Sequence, residues 1–385
     1  MKKKIKYAEF PDMNTVKDIV IFGGKKGADK PQYTFYNFDG EIEMKTFAQV
    51  NYDLTGLGQY LYKLGLRGKK VAILSENSYY WIACYFSIIT GKITAVPMDP
   101  KLPDDDIIDI MIRSGCNAIY YSEDFKDTVE KMKKTDGVVI EQYIKIEDFY
   151  SMVEEGHNEV KNGVESYLED EVLPSDLAFL VYTSGTTGKS KGVMLSQENV
   201  AADSVASCRV MTGGPAIGFL PLHHAFSWVG ALFSGNLLTE WGFICRSLKD
   251  IQKDMNTYHP QNFSAVPPAV ETIYKKIWFT AKKSGREEML KKGLKISNFL
   301  LKLGIDKRRK IFSEILNNLG GNLEMIVCGG AYLDEQYEKG MEAFGIKIIN
   351  GYGITECSPA VTCNRLDAYK VGSVGIPLPC NEIRI

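Results

Sequence analysis

Apolar positions recur along this chain at two spacings, and the alternation between them predicts its architecture. From Thr46 onward, Phe47, Val50, Leu54, Leu57, Leu61 and Leu64 fall three or four residues apart, on one face of a helix. Thr46 suits the N-cap, and Gly65 and Gly68 end the segment. Short apolar runs at 70–74, 93–97 and 118–121 then alternate with helical patterns at 79–90, 103–113 and 123–134. Strand–helix–strand order of this kind predicts a parallel sheet covered by helices, here a first αβα lobe over residues 45–148. Residues 1–45 read as loops around short extended segments such as 33–38, and the acidic stretch 149–174 as a surface connection. The alternation resumes at Leu177. Strands are expected at 177–181, 218–221, 243–246, 263–266, 323–328 and 346–350, with helices at 197–211, 228–238, 269–279 and 334–343. This predicts a second αβα lobe over 177–355. Residues 370–385 carry β-type segments with no helix between them and stop inside that pattern, as a truncated domain would. The fold class expected is α/β, with two αβα layered lobes and parallel-rich sheets; no fixed short repeat suggests a solenoid.

Composition narrows the classes. With 385 residues, 45% hydrophobic and 24% charged, the chain is long enough for more than one core and too apolar to be disordered. Eight Cys without a CxxC pair, several in apolar runs, read as reduced thiols of a cytoplasmic protein. The basic start, Met1-Lys2-Lys3-Lys4, has no apolar segment behind it, and no run is long enough to span a bilayer. A net charge of -2 argues against a general nucleic-acid binder. That average hides an asymmetry: residues 275–310 hold thirteen Lys/Arg against Glu287, Glu288 and Asp306. With Ile277, Trp278, Phe279, Leu290, Leu294, Ile296 and Phe299 interleaved, the stretch reads either as a solvated helical surface or as one that lies on an anionic membrane.

The chemistry concentrates in three loops. Thr183-Ser184-Gly185-Thr186-Thr187-Gly188-Lys189-Ser190-Lys191 follows the apolar run 177–181. Glycines allow close approach of backbone amides, hydroxyls donate, and Lys189 and Lys191 add positive charge, which together suit a polyphosphate. It is not a Walker A loop, because Thr183 stands where that motif needs its first Gly. A second loop, Pro221-Leu222-His223-His224-Ala225-Phe226-Ser227-Trp228, pairs two imidazoles with two aromatics. Adjacent His side chains diverge and only two other His exist, so a metal is not expected there. The third, Asn350-Gly351-Tyr352-Gly353-Ile354-Thr355-Glu356, offers an aromatic face, a hydroxyl and a hard carboxylate.

The string YTSGTTGKSKGVMLS at 182–196 resembles the signature loop of the adenylate-forming superfamily, which includes acyl-CoA synthetases, luciferases and the adenylation domains of peptide synthetases. The third loop resembles the family's Tyr-Gly-x-Thr-Glu segment, Gly329-Gly330-Ala331 its adenine and carboxylate platform, and 372–377 the segment leading into a small distorted barrel, which is expected to begin at 370–385. The resemblance implies an enzyme using ATP and Mg²⁺ to convert a carboxylate into an acyl-adenylate, with coenzyme A as co-substrate. It implies that Tyr352 stacks on adenine, Thr355 contacts the α-phosphate, Glu356 coordinates Mg²⁺ with Thr183, and His224 borders the acyl carboxylate. Trp228, His223, Phe226 and the small residues Gly230, Ala231, Ser234 and Gly235 could line an acyl channel; helix packing explains those small residues equally well. The segments 221–224, 271–278 and 355–359 look like bacterial long-chain fatty acyl-CoA synthetases. Family members continue with a ribose-binding Asp, a hinge and a lysine-bearing lid domain, none of which has a counterpart here. Little ligase activity is therefore expected of this chain alone. The alternatives are a non-catalytic nucleotide- or acyl-binding module, or a ligase for an aryl or amino acid or for a carrier-protein acceptor.

Overall fold

The computed structural model describes residues 9–183, 189–245 and 250–384. Its strands are β1 (Pro31–Tyr36), β2 (Ile42–Thr46), β3 (Lys70–Leu74), β4 (Thr94–Pro97), β5 (Ala118–Tyr121), β6 (Gln142–Lys145), β7 (Leu177–Thr183), β8 (Lys191–Ser196), β9 (Ala216–Gly218), β10 (Gly242–Ile244), β11 (Asn262–Ala265), β12 (Met325–Cys328), β13 (Lys347–Gly353), β14 (Ala360–Cys363) and β15 (Ile376–Pro377). They form two sheets, one of six strands in the order β6-β5-β3-β4-β7-β8 and one of nine in the order β15-β14-β13-β12-β11-β9-β10-β1-β2. The central pairs of both are parallel; β8, β2, β14 and β15 pair antiparallel at the edges.

Both faces of the six-stranded sheet are buried. Along β3, Val71 and Ile73 join one apolar cluster while Ala72 and Leu74 join another, and β5 divides Ala118 and Tyr120 from Ile119 and Tyr121 in the same way. Continuous apolar strands are what a two-sided layer requires. The helix Tyr79–Ile89, capped by Ser78, is buried at every position. It packs against β3 and β4 of one sheet and β1 of the other, so it is the layer the two sheets share. An amphipathic helix could not fill that place; this one is apolar all round.

The helix expected from Thr46 spans Phe47–Lys63, and Thr46 closes a capping box with Gln49. Four expectations change. Residues 16–27 form a helix rather than a loop, with Thr15 and Asp18 in a capping box. Residues 149–161 are a helix, not a surface connection, and Phe149, Met152, Val153 and Gly156 bury one face on the Phe47–Lys63 helix. The lobes do not divide where the sequence blocks do. β1 and β2 edge the nine-stranded sheet, and β7, expected to open the second lobe, completes the six-stranded one together with β8, because Ala178, Phe179 and Val181 bury against the core around the Tyr79–Ile89 helix. Among the described residues there is no closed barrel at the C-terminal end: β15 pairs antiparallel with β14, and residues 382–384 are irregular. No helix among them is long and apolar enough to cross a membrane.

Candidate functional site

The carboxyl ends of the parallel strands of both sheets open onto one cleft of about 1990 Å³. Ser75 to Ser78 follow β3, Pro100 and Lys101 follow β4, Phe219 to Ser227 follow β9, Val266 follows β11, Gly329 and Gly330 follow β12, and Gly351 to Thr355 end and follow β13. Ligands of parallel α/β sheets bind at these ends.

Site candidates singled out in the sequence that meet on its wall include His223, His224, Phe226, Gly230, Gly329, Gly330, Gly351, Tyr352, Gly353 and Thr355. Gly330 needs its missing side chain for backbone reasons, at φ +86°. Gly351 and Gly353 are small for another reason. A Cβ on Gly353 would overlap the Pro359 carbonyl oxygen and one on Gly351 would crowd that of Thr362, so β14 presses on them from behind while Tyr352, half exposed, presents its ring to the cleft. Phe226 lies over Gly329, where a Cβ would meet its ring at 3.6 Å. Around it, Trp228–Phe233 forms a π-helix, the irregularity that brings Val229 and Gly230 to the wall.

The two imidazoles lie 4.1 Å apart between centroids with their planes tilted at 53°, and the His223 Nε2 is buried without a hydrogen-bond partner among the described residues, 3.6 Å from the Asp99 carboxylate. Burial pushes the pKa of His223 down to about 4, helped by His224 and Lys101 and opposed by Asp99. His224, exposed to the cleft, is lowered too, first by desolvation, with Asp99 opposing and Lys101 adding. Both rings are therefore neutral near pH 7 and can accept or donate one hydrogen bond each.

Other expected residues sit elsewhere. Trp228 is fully buried, stacks on Phe179 at 4.7 Å and donates its indole N–H to the Leu222 carbonyl at 2.7 Å. It is a core residue that fixes the His223–His224 loop from behind, not part of the cavity wall. Asn350 turns its amide to Glu338, donating at 2.7 Å. Glu338 also accepts from Tyr369 Oη and the Gly372 N–H, so it staples β13 to the 364–375 segment. Ala331 and Glu356 are exposed and off the cleft wall. Thr183 ends β7 opposite Lys191, the first residue of β8, with Lys189 exposed beside them. β7 and β8 thus pair antiparallel on either side of the signature loop, β8 being a strand that the sequence pattern did not predict; Ser184, Gly185, Thr186, Thr187 and Gly188 lie outside the described residues. β8 packs against the Thr355–Cys357 turn, which places the hairpin beside the third loop.

Three side chains that sequence reasoning missed hold these loops. Arg113 donates to the Ser190 carbonyl and hydroxyl at 2.7 and 2.9 Å and lies over the Tyr182 ring. Asn77 donates to the Leu220 carbonyl at 2.8 Å and accepts from the Leu222 N–H at 2.9 Å. Buried Asp203 accepts the Ala360 N–H at 3.3 Å, just beyond the Thr355–Cys357 turn. The position of Asn77 after strand 70–74 was a usable signal, since the alternation predicts ligand loops there; Arg113 and Asp203 sit within helical patterns that give none.

No cluster of three His, Cys, Asp or Glu able to hold a metal exists among the described residues. A lone carboxylate, Glu356, with a nearby hydroxyl suits a Mg²⁺ that arrives with phosphate oxygens and keeps its waters, not a resident ion.

A two-sheet α/β body with a glycine- and aromatic-lined cleft at its strand ends, flanked by a Gly/Thr/Lys hairpin, defines the nucleotide-binding large domain of an adenylate-forming protein. The chain belongs to the AMP-binding enzyme family, whose model matches residues 24–385. It is 27% identical over 358 residues to "Long-chain-fatty-acid--CoA ligase 6" of Mus musculus, a match covering 86% of this chain and 51% of that protein. The chain spans about half the length of the curated relatives it matches. In fold it is similar to a long-chain-fatty-acid-CoA ligase (FadD1) from Archaeoglobus fulgidus, at TM-score 0.76 and 16% identity over 98% of this chain and 72% of that one. The N-terminal domain of FACL13 from Mycobacterium tuberculosis matches at TM-score 0.73 and 18% identity, over 95% and 83%.

Proposed function

We propose that this chain supplies the ATP-, Mg²⁺- and acyl-binding part of an AMP-forming acid–thiol ligase, which activates a medium- or long-chain fatty acid to the acyl-adenylate and then to acyl-CoA. The observation that carries the acid's class is the cleft itself. Its volume of about 1990 Å³ exceeds the roughly 300–1,000 Å³ of an ordinary ligand site. From Tyr352, Thr355 and His224 it continues beneath the Pro267–Lys283 helix to Ile273, Ile277, Leu290 and Phe312, an apolar chamber with room for a hydrocarbon chain.

In this reading Tyr352 stacks on the adenine against Gly329 and Gly330, Thr355 donates to the α-phosphate, and the hairpin bearing Thr183, Lys189 and Lys191 holds the β- and γ-phosphates. Glu356 and Thr183 would hold the Mg²⁺ that accompanies ATP, which would supply neutralisation of phosphate charge. His224, neutral, hydrogen-bonds the acyl carboxylate and directs one oxygen at the α-phosphorus. That oxygen forms the new P–O bond as the bond to the departing pyrophosphate breaks. A CoA thiolate then attacks the acyl carbon and AMP leaves. The chain's contribution is positioning and charge placement.

Acyl-sulfamoyl adenosines, stable mimics of the adenylate, test the reading by calorimetry. Each methylene the chamber buries is worth about 0.8 kcal/mol, so lengthening the acyl group from two to eight carbons is expected to tighten binding by at least about a hundredfold. Affinity independent of chain length, or a preference for aryl or aminoacyl analogues, overturns it.

A further inference from the structure

We infer that the outer face of the Glu287–Lys302 helix, with the ends of the segments flanking it, is a docking surface for an anionic lipid bilayer. This goes beyond the reaction proposed above and rests on different residues.

The helix has two apolar faces. Leu290 and Leu294 pack inward with Phe312 and Phe344, which satisfies the core. A second stripe, Met289, Ile296, Phe299 and Leu303, repeats at spacings of seven, three and four residues and points to solvent, with Phe299 63% and Leu303 60% exposed. Phe279, 65% exposed, adds to it from the preceding helix. Scattered exposed apolar residues need no explanation, but a second stripe at helical period on a helix already packed does.

Charge identifies the occupant. The acids of this region are all engaged: Glu287 and Glu288 pair with Lys291, and Asp306 with Arg308. Lys282, Lys283, Lys292, Lys295, Lys302, Lys307 and Lys310 have no ion-pair partner among the described residues. A second copy of this chain would set one net charge of +10 against another, so the surface disfavours self-association. Aromatic and aliphatic side chains interleaved with free lysines match the boundary between acyl chains and anionic headgroups. No helix among the described residues is long and apolar enough to span, and the contact inferred is with the bilayer surface. Met289 belongs to the stripe and also lines the cleft, which Thr280 and Ser284 line nearby, so the docked face lies over one end of the acyl chamber.

Vesicle flotation tests this with no fatty acid or nucleotide present, so the outcome is independent of the ligase reading. The chain is expected to float with equimolar phosphatidylglycerol–phosphatidylcholine vesicles in about 50 mM salt, and to be released at about 500 mM. The double variants Lys292→Glu/Lys295→Glu and Ile296→Ser/Phe299→Ser should each lower partitioning about tenfold, with thermal unfolding midpoints close to the parent's because all four side chains are exposed. The inference is overturned by absence of binding, by equal binding to pure phosphatidylcholine, by variants that float like the parent, or by a concentration-dependent dimer that the same variants abolish.

Discussion

Two buried titratable residues beside the cleft pull stability in opposite directions with pH. Burial raises the Asp203 carboxyl from its ordinary 3.8 to about 8, the Ala360 N–H opposing, and its Oδ1 has no hydrogen-bond partner among the described residues. The folded protein keeps a proton there that the unfolded chain releases, so this contribution is complete below pH 3.8 and is lost as pH rises to about 8. His223 is lowered from 6.5 to about 4, so its contribution is present above pH 6.5 and lost as pH falls to about 4. Between about pH 4 and 6.5 the two offset each other; between 6.5 and 8 Asp203 acts without His223. Asp203→Asn removes one side of the balance. Relative to the parent, the variant should gain stability on the order of 3 kcal/mol between pH 5 and pH 8.5, read from urea unfolding at both. An equal difference at the two pH values would mean that the carboxyl is not held neutral. None of this was legible in the sequence, where Asp203 sits among Ala and Ser in a helical pattern. The glycines, Tyr352 and Thr355 were legible, because their residue types carry the chemistry wherever the fold takes them. The correction at Trp228 has the same root: an aromatic next to a site motif reads alike whether it lines the ligand or braces the loop behind it.

At the level of elements, the strand–helix alternation between residues 46 and 134 was legible because each segment there carries its own periodicity, whereas the capped helix at 16–27 was read as loop. The Thr46 N-cap and the run 70–74 needed no tertiary information. The Phe149–Lys161 helix was missed because its buried face includes a glycine, so Phe149, Met152, Val153 and Gly156 count as a helical stripe only once Gly156 is known to be a contact. A Cβ on Gly156 would overlap the Gly56 carbonyl oxygen, and one on Gly56 would meet the Val153 carbonyl oxygen at 2.5 Å. The two helices therefore cross backbone to backbone. Alanine in an exposed helix would gain about 1 kcal/mol over glycine, whereas here Gly156→Ala should lose about 1–3 kcal/mol as the helices separate. Denaturant unfolding decides the sign, and a neutral or stabilised variant would show that the crossing is looser than the geometry requires. Which strand joins which sheet was illegible for a related reason: an apolar run predicts a buried strand but does not choose its neighbour, so the strand at 177–181 was assigned to the wrong layer.

Across the whole molecule, the cleft works only if loops from the two sheets keep register, and polar groups span the gap at a few points. Asn77, after β3 of the six-stranded sheet, grips the backbone on both sides of Pro221, after β9 of the nine-stranded sheet. Its amide acts as a short piece of strand, donating to Leu220 and accepting from Leu222. From the other side Ser227 Oγ donates to the Pro221 carbonyl at 2.8 Å and Trp228 to Leu222. The His223–His224 loop is thereby fixed by one clamp from each half of the structure. If the Asn77 clamp is what transmits register, removing it should loosen this loop without unfolding either sheet. Asn77→Ala should speed exchange of the Leu222 amide proton by at least about tenfold, the loss of one hydrogen bond worth roughly 1 kcal/mol or more, while amides of β3 and β12 keep their protection. Asn77→Asp keeps an acceptor for Leu222 but no donor for Leu220, so it should retain most of that protection. Uniform acceleration in β3, β12 and the loop after Asn77→Ala would instead mark Asn77 as a part of global stability, and an unchanged Leu222 would place the register of the two halves in the shared Tyr79–Ile89 helix alone.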